Sequence, residues 1–413
     1  TTTTTTASGA VDEPSSSSYD LTPDWTMSIN SVTWQSNGKG VYITYDDDGH
    51  QHIDMFASLE DVTRMVYTRF NSTGVSGSVA VPKDGDEFFL FTQTSFVNPS
   101  NIYLKCLSSN HPLCGDATLP LPLTTAFNQF ELSKCSLTQA RSITFQSRDP
   151  EGQPIQIQGW IHLPPLFDRT QKYPVAFLIH GGPQSPWSNS WSYRWNPQIY
   201  AAIGYITFQV NFQGSQGWGQ KFTDSVQGRY GSLPYDDLIN GINWLVEESE
   251  WKDSIDSKRM AALGASFGGY SVNWIAGHNI NLKYPFAVLV CHDGVFDARA
   301  KYYSTDELFF PEHDIGLQAG VTPYVNASLY EEFNPARPDL VQNWKTPHMI
   351  IHGGLDYRVD LSQGISSFTA LQRQGTPSKM LFFPREGHQV LNTRNQIKWH
   401  HEVLGWITKW TNA

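Results

Sequence analysis

Residues 260–276 read MAALGASFGGYSVNWIA, a short apolar run followed by a glycine-rich turn and a segment of helical spacing. The turn contains the pattern Gly-x-Ser-x-Gly, with Ser266 at its centre. Between a strand and a helix, this pattern is typical of a nucleophile elbow, a sharp turn that exposes a serine hydroxyl above a sheet. A side chain two residues before or after the serine would collide with a neighbouring strand or helix. We therefore predict Ser266 as a nucleophile and the backbone N–H of Phe267 as an oxyanion donor.

The rest of the second half alternates apolar runs with segments of helical spacing. Apolar, strand-like runs occur at 175–179, 206–210, 260–263, 287–291, 349–351 and 380–383, and helical spacing recurs at 237–248, 361–374 and 395–410. Continuous apolar strands separated by helices indicate a largely parallel sheet covered on both faces. We predict a doubly wound α/β domain over residues 141–413.

A serine hydroxyl needs a base to take its proton, and the base needs an acid to hold it. In α/β-hydrolases the acid and then the histidine follow the serine along the chain, each after its own strand. Asp356 follows the apolar run at 349–351, and His388 follows the run at 380–383. We predict Asp356 as the acid and His388 as the base, with Asp360 as the only near competitor for the acid. The predicted fold is therefore the α/β-hydrolase fold.

A second oxyanion donor is predicted after the strand at 175–179. His180, Gly181 and Gly182 stand where hydrolases of this fold place the loop that supplies such a donor. Glycines let backbone amides approach a substrate closely. The candidates are the amide of Gly181 and the ring of His180, and an ordinary β-turn without this role remains the alternative.

The first half reads as short strands broken by turns. Asn37-Gly38 and Asp84-Gly85 predict hairpin turns in which two successive residues take positive φ. The two dipeptides are 47 residues apart, close to the length of one four-stranded propeller blade. We predict about two blades of a β-propeller over residues 21–140, after a low-complexity linker or loop at 1–20. An unrelated meander with two hairpins is the alternative.

The composition narrows the classes of partner. With 39 acidic against 28 basic residues and a net charge of −11, the chain is not expected to bind nucleic acid or an anionic membrane. No apolar run approaches the roughly 20 residues of a membrane span. The His50-x-His52 pair and the segment at 400–402 lack further ligands at useful spacing, so we expect neither a metal nor a cofactor.

Several features favour a secreted protein. Cys106 and Cys114 bracket a short polar loop that a disulfide could close, whereas Cys291 ends an apolar run and is expected to be a buried thiol. Asn71 and Asn326 begin glycosylation sequons. The chain begins at Thr1 rather than Met, which we interpret as a processed secreted protein or a fragment.

Five motifs together resemble the prolyl oligopeptidase family of serine peptidases. They are HGGP at 180–183, QGSQGWG at 213–219, GASFGGY at 264–270, GLDYRV at 354–359 and EGH at 386–388. Two further segments, CHDGVF at 291–296 and STDELFF at 304–310, resemble a branch of secreted fungal dipeptidyl-peptidases within that family. The resemblance covers roughly residues 20–413.

The resemblance implies an α/β-hydrolase domain behind a β-propeller that limits access to short peptides, with no cofactor. It implies that Arg358 holds a backbone carbonyl of the substrate. Some relatives have an oxyanion tyrosine where this chain has His180, so backbone amides are the implied donors here. The pocket for the residue before the scissile bond is implied to include Val295, Phe296, Tyr302 and Tyr303, although core packing would equally explain these four residues.

The activity that the resemblance implies is release of dipeptides from the N-terminus of short peptides, through an acyl-enzyme on Ser266. The alternatives are an acylaminoacyl peptidase or oligopeptidase, a carboxylester hydrolase with the same triad, and a non-catalytic protein with a propeller-type binding face. Because only two propeller repeats are visible, the chain is expected to be the C-terminal part of a longer protein.

Overall fold

The computed structural model describes residue 22, residues 24–70, 74–83, 85, 87–108, 112 and 119–412. The predicted linker at 1–20 lies outside these residues. The first sheet and its helices are β1 (Ile29–Trp34), β2 (Val41–Asp47), β3 (His50–Phe56), α1 (Leu59–Arg64), β4 (Thr68–Phe70), β5 (Val75–Ala80), β6 (Phe88–Ser95), β7 (Asn98–Cys106), β8 (Leu121–Pro122) and α2 (Ala126–Leu132).

The strands of the first sheet form two four-stranded groups. Strands β1 to β4 pair antiparallel in chain order, and β5 to β8 do the same. A single parallel residue pair, Gln51 opposite Val75, joins β3 to β5. Buried side chains from both groups, among them Tyr42 and Phe89, pack in one cluster. The N-terminal region is thus two consecutive antiparallel meanders in contact.

The turns of the first meander differ from the predicted ones. Between β1 and β2 only Gly38 has a positive φ, of 67°, and Asn37 does not, so the predicted two-residue turn is wrong there. The two-residue turn with successive positive φ instead joins β2 to β3, at Asp48 (49°) and Gly49 (72°). Aspartate tolerates the left-handed region better than most residues. The second predicted turn, at 84–85, lies partly outside the described residues.

The second sheet occupies the rest of the chain. Its elements are β9 (Arg141–Arg148), β10 (Pro154–His162), β11 (Tyr173–Ile179), α3 (Pro197–Ala202), β12 (Ile206–Asn211), α4 (Gln220–Asp224), α5 (Leu233–Glu247), β13 (Ile255–Ala265), α6 (Phe267–His278), β14 (Val288–His292), α7 (Ala298–Tyr302), α8 (Phe309–Asp314), α9 (Ala327–Glu332), α10 (Pro338–Val341), β15 (His348–Gly353), α11 (Leu361–Arg373), β16 (Ser378–Phe383) and α12 (Thr393–Thr411). Short 3₁₀ turns occur at Lys252–Ser254 and Asn279–Asn281.

The strand order of this sheet is β9-β10-β12-β11-β13-β14-β15-β16. Strands β9 and β10 are antiparallel to their neighbours, and all other pairs are parallel. The six predicted strands correspond to β11–β16, so the predicted doubly wound, mostly parallel sheet of an α/β-hydrolase is confirmed. Strands β9 and β10 lie at one edge.

Alternate residues of the strands feed two separate cores. On β11, Phe177 packs with α5 and α6 on one face, and Leu178 packs with α3 and α12 on the other. Each fully buried side chain of this size stabilises the fold by about 1.5–3 kcal/mol. The two cores hold the carboxyl ends of β13, β15 and β16 at one edge, where the loops that follow them meet. None of the described helices has both the length and the apolar character of a membrane span.

Candidate active site

Ser266 lies in the turn between β13 and α6. Its backbone has φ 58° and ψ −120°, a conformation that costs a residue with a side chain about 1–3 kcal/mol. The turn is held on both sides, because the Ser266 N–H donates to the carbonyl of His292 at 3.0 Å and its carbonyl accepts from the N–H of Tyr270 at 2.8 Å. The surrounding structure therefore maintains the strained elbow.

The glycines of the elbow stand where backbone segments come very close. A Cβ on Gly264 would lie 2.3 Å from the carbonyl oxygen of Gly268, and a Cβ on Gly268 would lie 2.2 Å from that of Ile179 on β11. These distances agree with the steric reason for the Gly-x-Ser-x-Gly pattern. The turn can pass between β11 and β13 only because neither glycine has a side chain.

We predict that Gly268→Ala lowers the free energy of unfolding by at least about 2 kcal/mol, because overpacking against backbone cannot be relieved by a rotamer change. Gly405→Ala on α12 is the matched control. A Cβ there would meet nothing within 4 Å, and alanine is the better helix former by about 1 kcal/mol. Urea unfolding of both variants measures the difference, and equal stability would contradict the steric argument.

Asp356 and His388 form an acid–base pair in which the carboxylate is buried and the imidazole is half-buried. Asp356 Oδ2 lies 2.8 Å from His388 Nδ1. The other carboxylate oxygen accepts the backbone N–H groups of Arg358 and Val359, each at 2.9 Å. The Asp356 residue is only 4% exposed. The competing candidate, Asp360, is instead the N-cap of α11 and accepts the N–H of Ser362 at 2.9 Å.

Ser266 and His388 line the same cavity, which has a volume of about 450 Å³. No hydrogen bond joins Ser266 Oγ to the His388 ring in the described part of the chain, a bond that in free hydrolases commonly forms only when substrate is bound. The structure thus brings the predicted nucleophile, acid and base to one cavity.

The predicted oxyanion residues surround Ser266. Phe267 is the first residue of α6, where backbone N–H groups have no partner within the helix. Gly181 is close enough that a Cβ on it would lie 3.2 Å from Ser266 Cβ. These positions fit two backbone donors that face one oxyanion.

The His180 ring is bonded into the protein. Its Nδ1 lies 2.8 Å from the carbonyl oxygen of Gly181, and its Nε2 lies 3.0 Å from Ser215 Oγ. The ring stacks on Phe212 with centroids 4.1 Å apart. Burial lowers the pKa of His180 to about 4, although the bond to Gly181 opposes this shift. Both ring nitrogens are therefore engaged within the protein, which leaves the amide of Gly181 as the candidate donor.

A second group of buried polar side chains lies behind the acid. Among the described residues, Asp293, His352 and Asp356 are the one set of three acidic or imidazole groups with ligand atoms within 4.8 Å of one another. His352 Nε2 donates to the carbonyl of Val359 at 2.8 Å. Burial would raise the pKa of Asp293, but His292, His352 and His388 together outweigh it and the pKa is lowered. Because Asp356 is already bonded to His388, we assign this cluster to supporting the acid–base pair.

Two of the predicted substrate-binding residues line the cavity, Val295 and Arg358. The Arg358 guanidinium is also paired with Asp306 (2.9 Å) and Glu307 (2.6 Å). These two acids orient it and neutralise part of its charge.

Phe296, Tyr302 and Tyr303 are not among the described residues that line the cavity. Phe296 packs on Trp344, with ring centroids 5.5 Å apart. Tyr302 donates its hydroxyl to Glu312 at 2.8 Å. Tyr303 is 64% exposed. The aromatic character of this segment reflects local packing around α7 more than contact with the cavity.

Among the cavity residues that sequence reasoning missed are Arg194, Tyr230 and Lys301. Burial, with the nearby charge of Arg358, lowers the pKa of Lys301 to about 8. Tyr230 and Lys301 carry no motif that distinguishes them. Arg194 does carry a signal, since it is the only Asp, Glu, Lys or Arg between residues 173 and 220.

Only some of the residues predicted for disulfide formation or glycosylation lie among the residues that the structure describes. Cys106 is disulfide-bonded, and its predicted partner Cys114 lies outside the described residues. Cys291 is a buried free thiol, as predicted. Asn71 lies outside the described residues. Asn326 precedes α9, and its Oδ1 accepts the Ser328 hydroxyl at 2.6 Å.

Comparison with known proteins agrees with this geometry. Residues 191–413 match the prolyl oligopeptidase family. Dipeptidyl-peptidase 5 of Schizosaccharomyces pombe is 37% identical over 393 residues, which cover 94% of this chain and 52% of that protein. Dipeptidyl-peptidase 5 of Trichophyton equinum is 42% identical over 406 residues, covering 95% of this chain and 50% of that protein.

Solved structures share the fold at low identity. The acylaminoacyl peptidase of Pyrococcus horikoshii superposes with a TM-score of 0.79 at 20% identity, covering 94% of this chain and 57% of that one. The dipeptidyl peptidase 4 of Porphyromonas gingivalis superposes with a TM-score of 0.72 at 16% identity, covering 93% and 50%. The chain spans about half the length of the curated relatives it matches. It belongs to the prolyl oligopeptidase family.

Proposed function

We propose that this chain carries the catalytic part of a serine exopeptidase that releases dipeptides from the N-terminus of short peptides. The observation that carries the proposal is the Asp356–His388 pair, 2.8 Å long, on the same cavity as Ser266 in its strained elbow. The names of the relatives, dipeptidyl-peptidase 5, support the substrate class. We propose short peptides as the substrates, and hence as the molecules that this protein binds.

The proposed reaction proceeds in two halves. His388 takes the proton of Ser266 Oγ as the oxygen attacks the scissile carbonyl, and the resulting oxyanion accepts the backbone N–H groups of Phe267 and Gly181. The intermediate collapses, the C–N bond breaks, and His388 gives its proton to the leaving amine. Water then attacks the acyl-enzyme by the same steps and frees the dipeptide. Loss of either oxyanion donor would cost roughly 3–4 kcal/mol of transition-state stabilisation.

We also propose that the two meanders are propeller blades over residues 21–140, placed against the hydrolase domain of residues 141–413. Two consecutive four-stranded antiparallel groups support this assignment. The meanders contact the loop that follows Gly182, since the N–H of Asn189 donates to Gly49 at 2.7 Å and its Oδ1 accepts the N–H of Phe96 at 2.9 Å. A propeller placed there would limit access of long chains to Ser266.

Secretion is part of the proposal. A disulfide at Cys106 supports it, because such bonds persist mainly in oxidising compartments. Glycosylation at Asn71 and Asn326 would follow from secretion.

The test assays the full-length protein with three chromogenic compounds. They are a dipeptidyl anilide with a free amino group, an N-acetyl-aminoacyl anilide and a simple carboxylic ester. We expect kcat/KM to favour the dipeptidyl anilide by roughly 100-fold or more, since a site built to bond a polar group rejects substrates that lack it. Preference for the acetylated substrate would favour an acylaminoacyl peptidase instead. Turnover of the ester alone would favour an esterase, and failure of a fluorophosphonate probe to label Ser266 would exclude a serine hydrolase.

A further inference from the structure

Arg194, one of the cations of the active-site cavity, forms no ion pair with any described residue. Arg194 lines the cavity beside Ser266 and His388, and its Nη1 is buried with no hydrogen-bond partner in the described part of the chain. Arg358, on the same cavity, is held by Asp306 and Glu307. A buried donor left without a partner is destabilising. The Arg194 guanidinium is therefore available to bind a ligand.

The charge of Arg194 is isolated in the sequence. Arg194 is the only charged residue, histidine aside, in the 48 positions from 173 to 220. Burial lowers the pKa of its guanidinium, and Asp293 opposes the shift. An arginine remains charged in such a setting. A positive charge thus persists in a stretch of chain that has no other Asp, Glu, Lys or Arg.

Hydrogen bonds to side chains hold the backbone before, at and after Arg194. Ser192 Oγ accepts the N–H of Arg194 at 3.3 Å and the N–H of Trp195 at 3.0 Å. The N–H of Trp191 donates to Thr94 Oγ1, in the N-terminal sheet, at 3.1 Å. A side chain on such a pre-organised loop loses less conformational freedom when it binds a ligand.

The position of Arg194 assigns it to the leaving-group side. The family resemblance implies that the acyl half of the substrate contacts Val295 and Arg358. Arg194, on the loop at 185–195, lines the cavity together with His388 and Gln389. The charges of Arg194 and His388 both act on the buried Asp293, which places the two side chains in the same neighbourhood. His388 is the group that hands its proton to the leaving amine. We therefore place the leaving peptide along the loop that carries Arg194.

We infer that the Arg194 guanidinium binds the terminal carboxylate of the leaving peptide, so that the enzyme selects substrates that end one or two residues beyond the scissile bond. The inference rests on the proposed function and names its substrate class as tripeptides and tetrapeptides with a free carboxyl terminus. Guanidinium and carboxylate match in planar, two-bond geometry, and charge-assisted pairs are among the strongest hydrogen bonds.

The experiment compares matched tripeptides of one sequence with either a free carboxylate or a carboxamide at the C-terminus. Wild type is expected to hydrolyse the free acid at least about tenfold faster in kcat/KM. This ratio is expected to fall toward one when the peptide is lengthened to six residues. In Arg194→Gln the ratio is expected to be about one at every length, and Arg194→Lys is expected to restore part of it. Arg373→Gln, on the exposed face of α11, is the matched control and should keep the wild-type ratio.

A second measurement needs no variant. The released amino acid or dipeptide should inhibit wild type as the free acid at least about tenfold better than as the amide. If wild type hydrolyses dipeptidyl anilides but cleaves the free acid and the amide at equal rates, the inference about Arg194 is overturned and the proposed function is not. An equal loss on all substrates in Arg194→Gln, with the ratio kept, would also overturn it, because Arg194 would then only compensate the charge of Asp293. No turnover of dipeptidyl anilides by wild type would instead overturn the proposed function.

Discussion

Replacing Ser266 with alanine is expected to lower kcat/KM for dipeptidyl anilides by roughly 10⁴- to 10⁶-fold, the range found when a hydrolase loses its nucleophile. The elbow is held by backbone bonds to His292 and Tyr270 rather than by the hydroxyl. The unfolding temperature is therefore expected to stay that of wild type. Initial rates and thermal unfolding of the same preparation measure both quantities.

Ser249→Ala is the matched control for this substitution. Ser249 is also buried, and its Oγ donates to the carbonyl of Leu245 at 2.7 Å, far along the chain from the elbow. Its removal should cost about 1 kcal/mol of stability and leave kcat/KM within twofold. Turnover by Ser266→Ala above a thousandth of the wild-type rate would reject Ser266 as the nucleophile.

Sequence reasoning succeeds here where a pattern is local. Strands β11 to β16 were predictable because each is a continuous apolar run, as both faces of a parallel strand are buried. Strand β9 instead alternates exposed and buried residues toward its end, a weaker pattern than a continuous apolar run. The elbow around Ser266 was predictable for a steric reason that also acts locally, the close approach of Gly264 and Gly268.

The features that were missed include one local turn and several contacts between distant parts of the chain. Asn37-Gly38 has the composition of a two-residue turn, but the loop between β1 and β2 is longer, and Asp48-Gly49 takes that turn instead. Lys301 and Tyr230 reach the cavity from elements far apart in sequence, and no spacing rule connects them with Ser266. The family resemblance implies that Phe296 lines the pocket, whereas its ring packs on Trp344.

Asp356→Asn is expected to lower kcat/KM by roughly 10⁴-fold, through the tautomer of His388 rather than through the loss of a contact. One oxygen of Asp356 accepts two backbone N–H groups, from Arg358 and Val359, and the other lies 2.8 Å from His388 Nδ1. The single oxygen of asparagine satisfies the two backbone donors, so its NH₂ group faces the ring. His388 must then accept at Nδ1 and hold its proton at Nε2, the nitrogen that should take the proton of Ser266.

Asp360→Asn gives the matched control four residues later. Asp360 caps α11 by accepting the N–H of Ser362, and asparagine caps a helix as well as aspartate does. The unfolding temperature of Asp360→Asn is therefore expected to stay that of wild type, and its kcat/KM is expected to stay within twofold. Because the wrong tautomer of His388 removes the general base, the loss in Asp356→Asn should shrink at high pH, where hydroxide can replace that base. A loss in Asp356→Asn that is smaller than that in Asp360→Asn would assign the acid to Asp360. A large loss that is the same at every pH would show that Asp356 acts only through the position of its loop.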